Sequence, residues 1–126
     1  SAASDVYKRQ ILFRGKTGDE WVYGDLSRLK NAITITKRNF IYPYIVMPET
    51  VGQFTGLTDK NGVKIFEGDI LKFRSGIYSV EWDNEHSKFL QRDGQFSREL
   101  HIWIAKSEIV GNIHDNPELL KGEENE

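Results

Sequence analysis

Residues 48–71 read PETVGQFTGLTDKNGVKIFEGDIL. Short apolar runs alternate here with turn-forming residues, which is typical of a small β-rich domain. The Asn-Gly pair at 61–62 predicts a type I′ turn, with residues 53–57 and 63–66 as the hairpin arms. Glu-Gly-Asp at 67–69 predicts another tight turn before the next strand. The stretch therefore indicates antiparallel strands joined by tight turns.

The same pattern extends toward the N-terminus. Residues 11–14 and 21–26 predict a hairpin, and the β-branched run Ile33–Thr36 predicts a strand. Residues 37–39 predict a turn. Pro43 interrupts the apolar run 40–46, and because proline cannot donate a ladder hydrogen bond, we expect an edge strand or a break there.

Beyond residue 71 the chain again alternates strands with turns. The predicted strands are 70–73, 77–82, 88–92, 101–104 and 108–113. Asn116 and Pro117 suit the N-cap and first position of one helical turn ending at Leu120. The sequence thus predicts a mainly β fold with one short C-terminal helical turn.

Some residues of this pattern are expected to serve the fold. We expect a positive φ, a bulge or a close backbone approach at four glycines, because other residues reach such positions at a cost. These glycines are Gly56, Gly62, Gly68 and Gly111. The residues with core-like character are Phe54, Leu57, Ile65, Phe66, Ile70, Leu71, Val110 and Ile113.

Composition excludes several classes of protein. The chain has 126 residues and no cysteine, which excludes a disulfide scaffold, thiol catalysis and cysteine-ligated zinc. Its apolar runs are shorter than the roughly 20 residues of a membrane helix. The net charge of −2 argues against a generally basic nucleic-acid binder, but it hides an uneven distribution. Residues 11–46 carry six bases and three acids, whereas residues 47–120 carry eight bases and twelve acids.

Three segments resemble the YopX-like family of phage- and prophage-encoded proteins, and they occur along the chain in the same order as in that family. The first comprises residues 11–16 and 21–26, the second is residues 48–71, and the third comprises residues 108–113 and 116–120. The resemblance implies a β-rich fold whose C-terminal part is an SH3-like barrel, together with a phage or prophage origin. It carries no established activity, and its matched residues have the character of a folding signature.

These observations predict four parts of the chain. Residues 1–10 resemble a translated adapter and are predicted not to be native. Residues 11–47 form an N-terminal β subdomain packed on an SH3-like barrel at 48–120, and residues 121–126 form an acidic, disordered tail.

The sequence offers little for catalysis or metal binding. A metal site could combine His86 with Asp83 or Glu85 and with His101 or His114 as further ligands, but the sequence has no metal-binding motif that supports such a site. Nucleophile elbows, phosphate loops and dinucleotide fingerprints do not occur. We therefore predict a chain that is not an enzyme, with no catalytic, metal or cofactor-binding residues and no cofactor.

One segment predicts a binding surface. It combines basic side chains, which contact phosphates, with aromatic side chains, which stack on bases or fill protein interfaces. Its residues are Arg28, Lys30, Lys37, Arg38, Phe40, Tyr42 and Tyr44.

Two functions compete for this surface. The first is protein–protein interaction, as a homo-oligomer or with a host or phage protein. The second is nucleic-acid binding. In either case we expect a non-enzymatic accessory protein of the host bacterial cytoplasm, without membrane association.

Overall fold

The computed structural model describes residues 11–94, 96–100 and 104–121, in two compact units that divide between Phe54 and Thr55. The predictions for residues 1–10, for His101 and for residues 122–126 lie outside the described part. The sequence placed the boundary earlier, between residues 47 and 48. The chain stays with the first unit beyond that point because Gly52 and Gln53 pair with the first strand.

The first unit is an antiparallel meander. Its strand order is β4-β3-β2-β1. The strands are β1 (Phe13–Thr17), β2 (Glu20–Arg28), β3 (Ile33–Thr36) and β4 (Pro43–Val46). The predicted hairpin, the β-branched strand and the proline-containing edge strand are all confirmed.

Strand β2 changes partner at Gly24. Its first half pairs with β1 as far as Gly24, and its second half pairs with β3 from Asp25 onward. A Cβ at Gly24 would collide with the Thr36 carbonyl oxygen. Glycine therefore permits the close approach of β2 to β3 that this change of partner requires.

The core of the first unit is small and aliphatic. Val22, Ile35 and Val46 are buried, each from a different strand. The Met47 N–H donates to the Lys16 carbonyl oxygen at 2.8 Å, so the chain after β4 returns to β1. A 3₁₀ turn follows at Pro48–Thr50.

The second unit is also built from antiparallel strands. Strand β5 (Gly52–Thr58) begins in the first unit and runs beside β6 (Lys64–Phe66) in the second. A five-stranded sheet of order β10-β9-β8-β7-β11 follows. Its strands are β7 (Asp69–Phe73), β8 (Gly76–Asp83), β9 (Lys88–Asp93), β10 (Phe96–Glu99) and β11 (Glu108–Asn112). A 3₁₀ turn at Ile104–Lys106 and an α-helix at Glu118–Lys121 complete the unit.

The fold class is confirmed as mainly β with one short helical turn near the C-terminus. The SH3-like barrel implied by the family resemblance is not confirmed. Strands β10 and β11 are the two ends of the five-stranded sheet, and the described strands show no pairing that closes it.

The predicted core is partly correct. Ile65, Phe66, Ile70 and Leu71 are almost fully buried. Val110 and Ile113, in contrast, are 36% and 38% exposed, so their assignment to the core is wrong. Val110 lies where the register of β11 shifts between Ile109 and Gly111, on a terminal strand of the sheet. A bulge changes which side chains face the core, and the sequence pattern does not reveal it.

The turn at Asn61–Gly62 also differs from its prediction. Gly62 has a φ of 80°, but Asn61 does not have a positive φ, so the turn is not type I′. The Asp59 carboxylate instead organises this loop by accepting hydrogen bonds from the N–H groups of Asn61 and Val63, at 2.8 and 2.9 Å.

The C-terminal helix is confirmed, but its expected cap is not. The Asn116 side chain does not turn forward onto the helix; its Oδ1 accepts a hydrogen bond from the Asn112 N–H at 3.2 Å. A Cβ at Gly111 would lie 2.6 Å from the same Oδ1. The close approach predicted at Gly111 is therefore confirmed, and it is made to this asparagine.

Candidate interaction surface

An exposed apolar segment occupies residues 40–47, within the first unit. Phe40, Ile41 and Tyr42 are 64%, 82% and 75% exposed, and Ile45 in β4 is 67% exposed. Tyr44 and Met47 are also exposed, at 37% and 38%, and Val46 is buried in the core. Soluble chains rarely expose so many large apolar side chains in one run, and such patches mark interaction sites.

The position of this segment explains its exposure. Residues 40–42 precede β4 and belong to no strand, and β4 is the terminal strand of its sheet. Val46 faces the core, so its neighbour Ile45 faces the opposite side, because side chains alternate along a strand. The β pattern that buries Val46 thus leaves Ile45 outside.

Four basic residues flank the apolar segment; we call them the basic flank. Lys37 and Arg38 lie between β3 and β4, close before Phe40. Arg28 ends β2 opposite Ile33, which in turn pairs with Val46, and Lys30 follows two residues later. The register therefore places Arg28 and Lys30 near the other end of β4.

The predicted turn at residues 37–39 is confirmed and positions two of these cations. The Phe40 N–H donates to the Lys37 carbonyl oxygen at 3.0 Å, and Asn39 takes a φ of 71°. The Lys37 ammonium lies 5.1 Å from the centre of the Tyr44 ring. Arg38 donates to the Ile11 carbonyl oxygen at 2.9 Å and lies 3.5 Å from the Asp25 carboxylate.

The structure thus brings the seven predicted surface residues together around β3 and β4. The three aromatics are exposed, as are Arg28, Lys30 and Arg38, while Lys37 is half-buried. The sequence reasoning did not include Leu29, Ile41, Ile45 and Met47, which are exposed in the same region. The available signal was partial: Pro43 within the apolar run marks the edge of a sheet, but it does not show which side chains face outward.

The polar residues of the 48–71 stretch serve the fold. The Thr50 hydroxyl accepts a hydrogen bond from the Lys16 N–H at 2.8 Å and donates to the Met47 carbonyl oxygen. The Asp69 Oδ2 accepts from the Phe66 N–H at 2.8 Å, where Asp69 is 2% exposed. These contacts are what a folding signature requires, since each satisfies a backbone group at a turn.

Asp59 links the β5–β6 loop to β11. Its Oδ2 accepts from the Ile109 N–H at 3.0 Å, in addition to the two loop N–H groups bound by Oδ1. Burial would raise the pKa of Asp59, but the backbone donors, Ile109 first, outweigh it and lower the pKa below its usual value.

The structure also brings together Asp83, Glu85 and His86, in the turn between β8 and β9. Their candidate ligand atoms lie within 4.8 Å of one another. The His86 Nδ1 is 2.7 Å from the Asp83 Oδ2, and this side-chain hydrogen bond lowers the pKa of Asp83. The Asp83 Oδ1 accepts the Glu85 N–H at 3.0 Å, so local turn contacts account for the arrangement.

His114, the other histidine in the described residues, is half-buried after β11, where its N–H donates to the Asn112 side chain. In the described part of the chain, no helix is long and apolar enough to cross a membrane.

Comparison with known proteins gives one family. No curated protein matches the chain. The family described as YopX protein matches residues 6–121, which is most of the chain and includes both units. The match also includes the second half of the segment 1–10 that was predicted not to be native. This chain therefore belongs to the YopX protein family.

Proposed function

We propose that this chain is a non-enzymatic accessory protein of a phage or prophage, which acts in the host cytoplasm by binding another protein. The observation that supports the proposal is the exposed apolar segment 40–47, flanked by basic side chains. Aromatic residues, methionine and arginine are enriched at protein interfaces, whereas a surface that faces only water gains nothing from them.

The charge of the surface indicates the chemistry of the partner. The basic flank contributes four cations around the apolar segment, and the acid in contact with it is Asp25, beside Arg38. A second copy of the chain, bound through the same face, would bring four more cations against these, and like charges at an interface are unfavourable. We therefore propose a partner protein that presents an apolar segment flanked by carboxylates.

A peptide array tests this proposal. The peptides carry an apolar core flanked either by Asp and Glu or, as the matched set, by Lys. We expect the full chain to bind the acidic set and not the basic set, with affinity that falls as salt is raised. Equal binding to both sets, or to neither, would contradict the proposal.

Matched variants locate the binding on the surface. Ile41→Glu places a carboxylate in the apolar segment, and we expect it to weaken binding of the acidic peptides by at least tenfold. Val63→Glu makes the same change at a residue that is 51% exposed in the second unit, and we expect it to bind normally. Equal effects of the two substitutions would place the binding elsewhere.

Self-association is a separate outcome of the same variants. If light scattering shows a dimer of the parent chain and a monomer of Ile41→Glu, the partner of this surface is a second copy of the chain and not another protein. A monomer at tens of micromolar is the result we expect.

Nucleic-acid binding is the second candidate, because Phe40 and Tyr42 expose their rings beside cations. Two observations make it the weaker one. The Arg38 guanidinium is engaged by Asp25 and by a backbone carbonyl, and the exposed residues include isoleucines, which do not stack on bases. Gel-shift titration with single- and double-stranded DNA and RNA at two salt concentrations tests it; a shift that Tyr42→Ala abolishes would favour this candidate.

A further inference from the structure

A polar cavity lies in the second unit, where the β7–β8 turn meets the ends of β9 and β10. Its volume is about 460 Å³, and it is open to solvent, because four of its lining residues are exposed: Arg74, Ser75, Asp93 and Arg98. Its lining includes two guanidinium groups, two hydroxyl groups, a carboxylate and two aromatic rings. These belong to Arg74, Arg98, Ser75, Tyr78, Asp93 and Phe73.

Arg74 occupies a backbone conformation that favours glycine. Phe73 pairs with Gly76, so Arg74 and Ser75 are the two central residues of a tight hairpin turn. Arg74 has a φ of 57°, and Ser75 does not have a positive φ. An arginine is strained here, and strain of this kind is concentrated at functional sites. The turn therefore does not favour arginine, and the Arg74 guanidinium lies 5.2 Å from the centre of the Phe73 ring, at the wall of the cavity.

The second arginine stands beside a buried amide. Arg98 of β10 pairs with Gln91 of β9, so their side chains lie on the same face of the sheet. Gln91 is 1% exposed, and neither its Oε1 nor its Nε2 has a hydrogen-bond partner among the described residues. Gln91 is not among the residues that line the cavity, so Arg98 is the member of this pair whose side chain reaches it.

The lining suits an anion with several acceptor oxygens. Two guanidinium groups and one carboxylate, that of Asp93, give the lining a net positive charge. Residues 47–120 as a whole are acidic, with twelve acids against eight bases. Guanidinium groups bind phosphate oxygens in pairs, and the Ser75 and Tyr78 hydroxyls add further donors. We propose that this cavity binds the phosphate group of a small phosphorylated molecule.

The proposal is independent of the protein-binding surface. It involves only the second unit, and it would stand if the apolar segment bound nothing. The volume of the cavity exceeds what a phosphate ion fills, and Phe73 and Tyr78 provide apolar area for the remainder of the ligand. We therefore expect a nucleoside 5′-monophosphate to bind more tightly than inorganic phosphate.

Titration of the full chain tests the proposal, with inorganic phosphate, a nucleoside 5′-monophosphate and acetate as probes at one ionic strength. We expect saturable binding of both phosphates and much weaker binding of acetate. Arg98→Gln should weaken phosphate binding about tenfold or more, which is the effect of removing one charged hydrogen-bonding group. Arg92→Gln is the matched control, because Arg92 lies on the opposite face of the sheet, paired with Glu81.

Arg74→Gly separates binding from folding. Glycine accepts the positive φ without strain, so we expect a thermal midpoint equal to or above that of the parent, together with about tenfold weaker phosphate binding. Absence of binding to both phosphates at 10 mM would overturn the proposal. So would equal binding of acetate, or full binding by both Arg74→Gly and Arg98→Gln.

Discussion

The Asp59 carboxylate accepts three backbone N–H groups from two segments that are far apart in the sequence. Two of these donors lie in the β5–β6 loop and the third lies in β11, and all three hydrogen bonds are partly buried. This role needs two acceptor oxygens, which a carboxylate has and an amide lacks. Asp59 is therefore a structural residue, although a carboxylate in a family signature invites a catalytic interpretation.

We expect Asp59→Ala to lower the free energy of unfolding by about 2–4 kcal/mol, since it leaves three donors without an acceptor. Asp59→Asn should have a smaller effect, because it keeps one acceptor oxygen. Urea denaturation measures both. Asp19→Ala, at an exposed turn residue, is the control and should change stability by less than about 0.5 kcal/mol. Equal stability of Asp59→Ala and the parent would contradict the role assigned to Asp59.

The lowered pKa of Asp59 predicts a pH dependence of stability. A carboxyl whose pKa is lower in the folded state stabilises the fold above its unfolded pKa, and this contribution is lost as pH falls through the folded pKa. We therefore expect the stability difference between the parent and Asp59→Ala to be constant near neutral pH and to shrink below about pH 4. A difference that stays the same down to pH 3 would contradict the assignment.

At the residue scale, the sequence predicted that Asn61 and several glycines shape turns, because these residue types reach backbone conformations that other residues reach at a cost. It could not predict the Ile109 contact of Asp59, which joins residues 50 positions apart. It also assigned the wrong turn type to Asn61–Gly62, because a side-chain acceptor replaced the usual backbone geometry. Turn residues could thus be predicted from the sequence, whereas hydrogen bonds between distant segments could not.

At the scale of the element, Gly24 controls the change of partner in β2. A side chain there meets the Thr36 backbone oxygen, which cannot move without breaking the β2–β3 pairing. We expect Gly24→Ala to destabilise the chain by about 2–4 kcal/mol, in the range of severe core overpacking. Thermal unfolding measures the loss.

Gly76→Ala is the matched control for this prediction. A Cβ at Gly76 would also lie close to another atom, but that atom is the Tyr78 hydroxyl oxygen, 2.6 Å away at the end of a mobile side chain. The ring can turn aside, so we expect a smaller loss than for Gly24→Ala. A larger loss of stability for Gly76→Ala than for Gly24→Ala would show that the close approach to Thr36 does not determine the need for glycine at position 24.

Most strands could be predicted because β-branched and aromatic runs are bounded by turn residues. The exposure of residues 40–47 could not, because the same residues would suit a buried strand equally well. Only the position of β4 at the end of its sheet, with residues 40–42 outside any strand, shows that the side chains face outward.

At the scale of the whole molecule, the two units have cores that share no residue. One is built around Ile35 and the other around Ile65. We expect Ile35→Val and Ile65→Val each to cost about 0.5–1.5 kcal/mol, and the double variant to lose the sum of the two within about 0.5 kcal/mol. A larger coupling energy in denaturant titration would contradict the independence of the two cores.

The mainly β class and the family followed from segments spread over the whole chain. The unit boundary did not, because the chain after residue 47 contains the 3₁₀ turn and the start of β5, both bonded to β1. A sequence pattern marks where elements begin, whereas a boundary depends on which elements they contact.

We propose that residues 28–30 and 37–47 form a protein-binding surface. The most direct measurement is the change in backbone amide chemical shifts of the ¹⁵N-labelled chain when an acidic-flanked apolar peptide from the array is added. We predict that the largest changes fall within residues 28–30 and 37–47 and disappear in Ile41→Glu. Changes centred on residues 55–121, or changes that persist in Ile41→Glu, would contradict the claim.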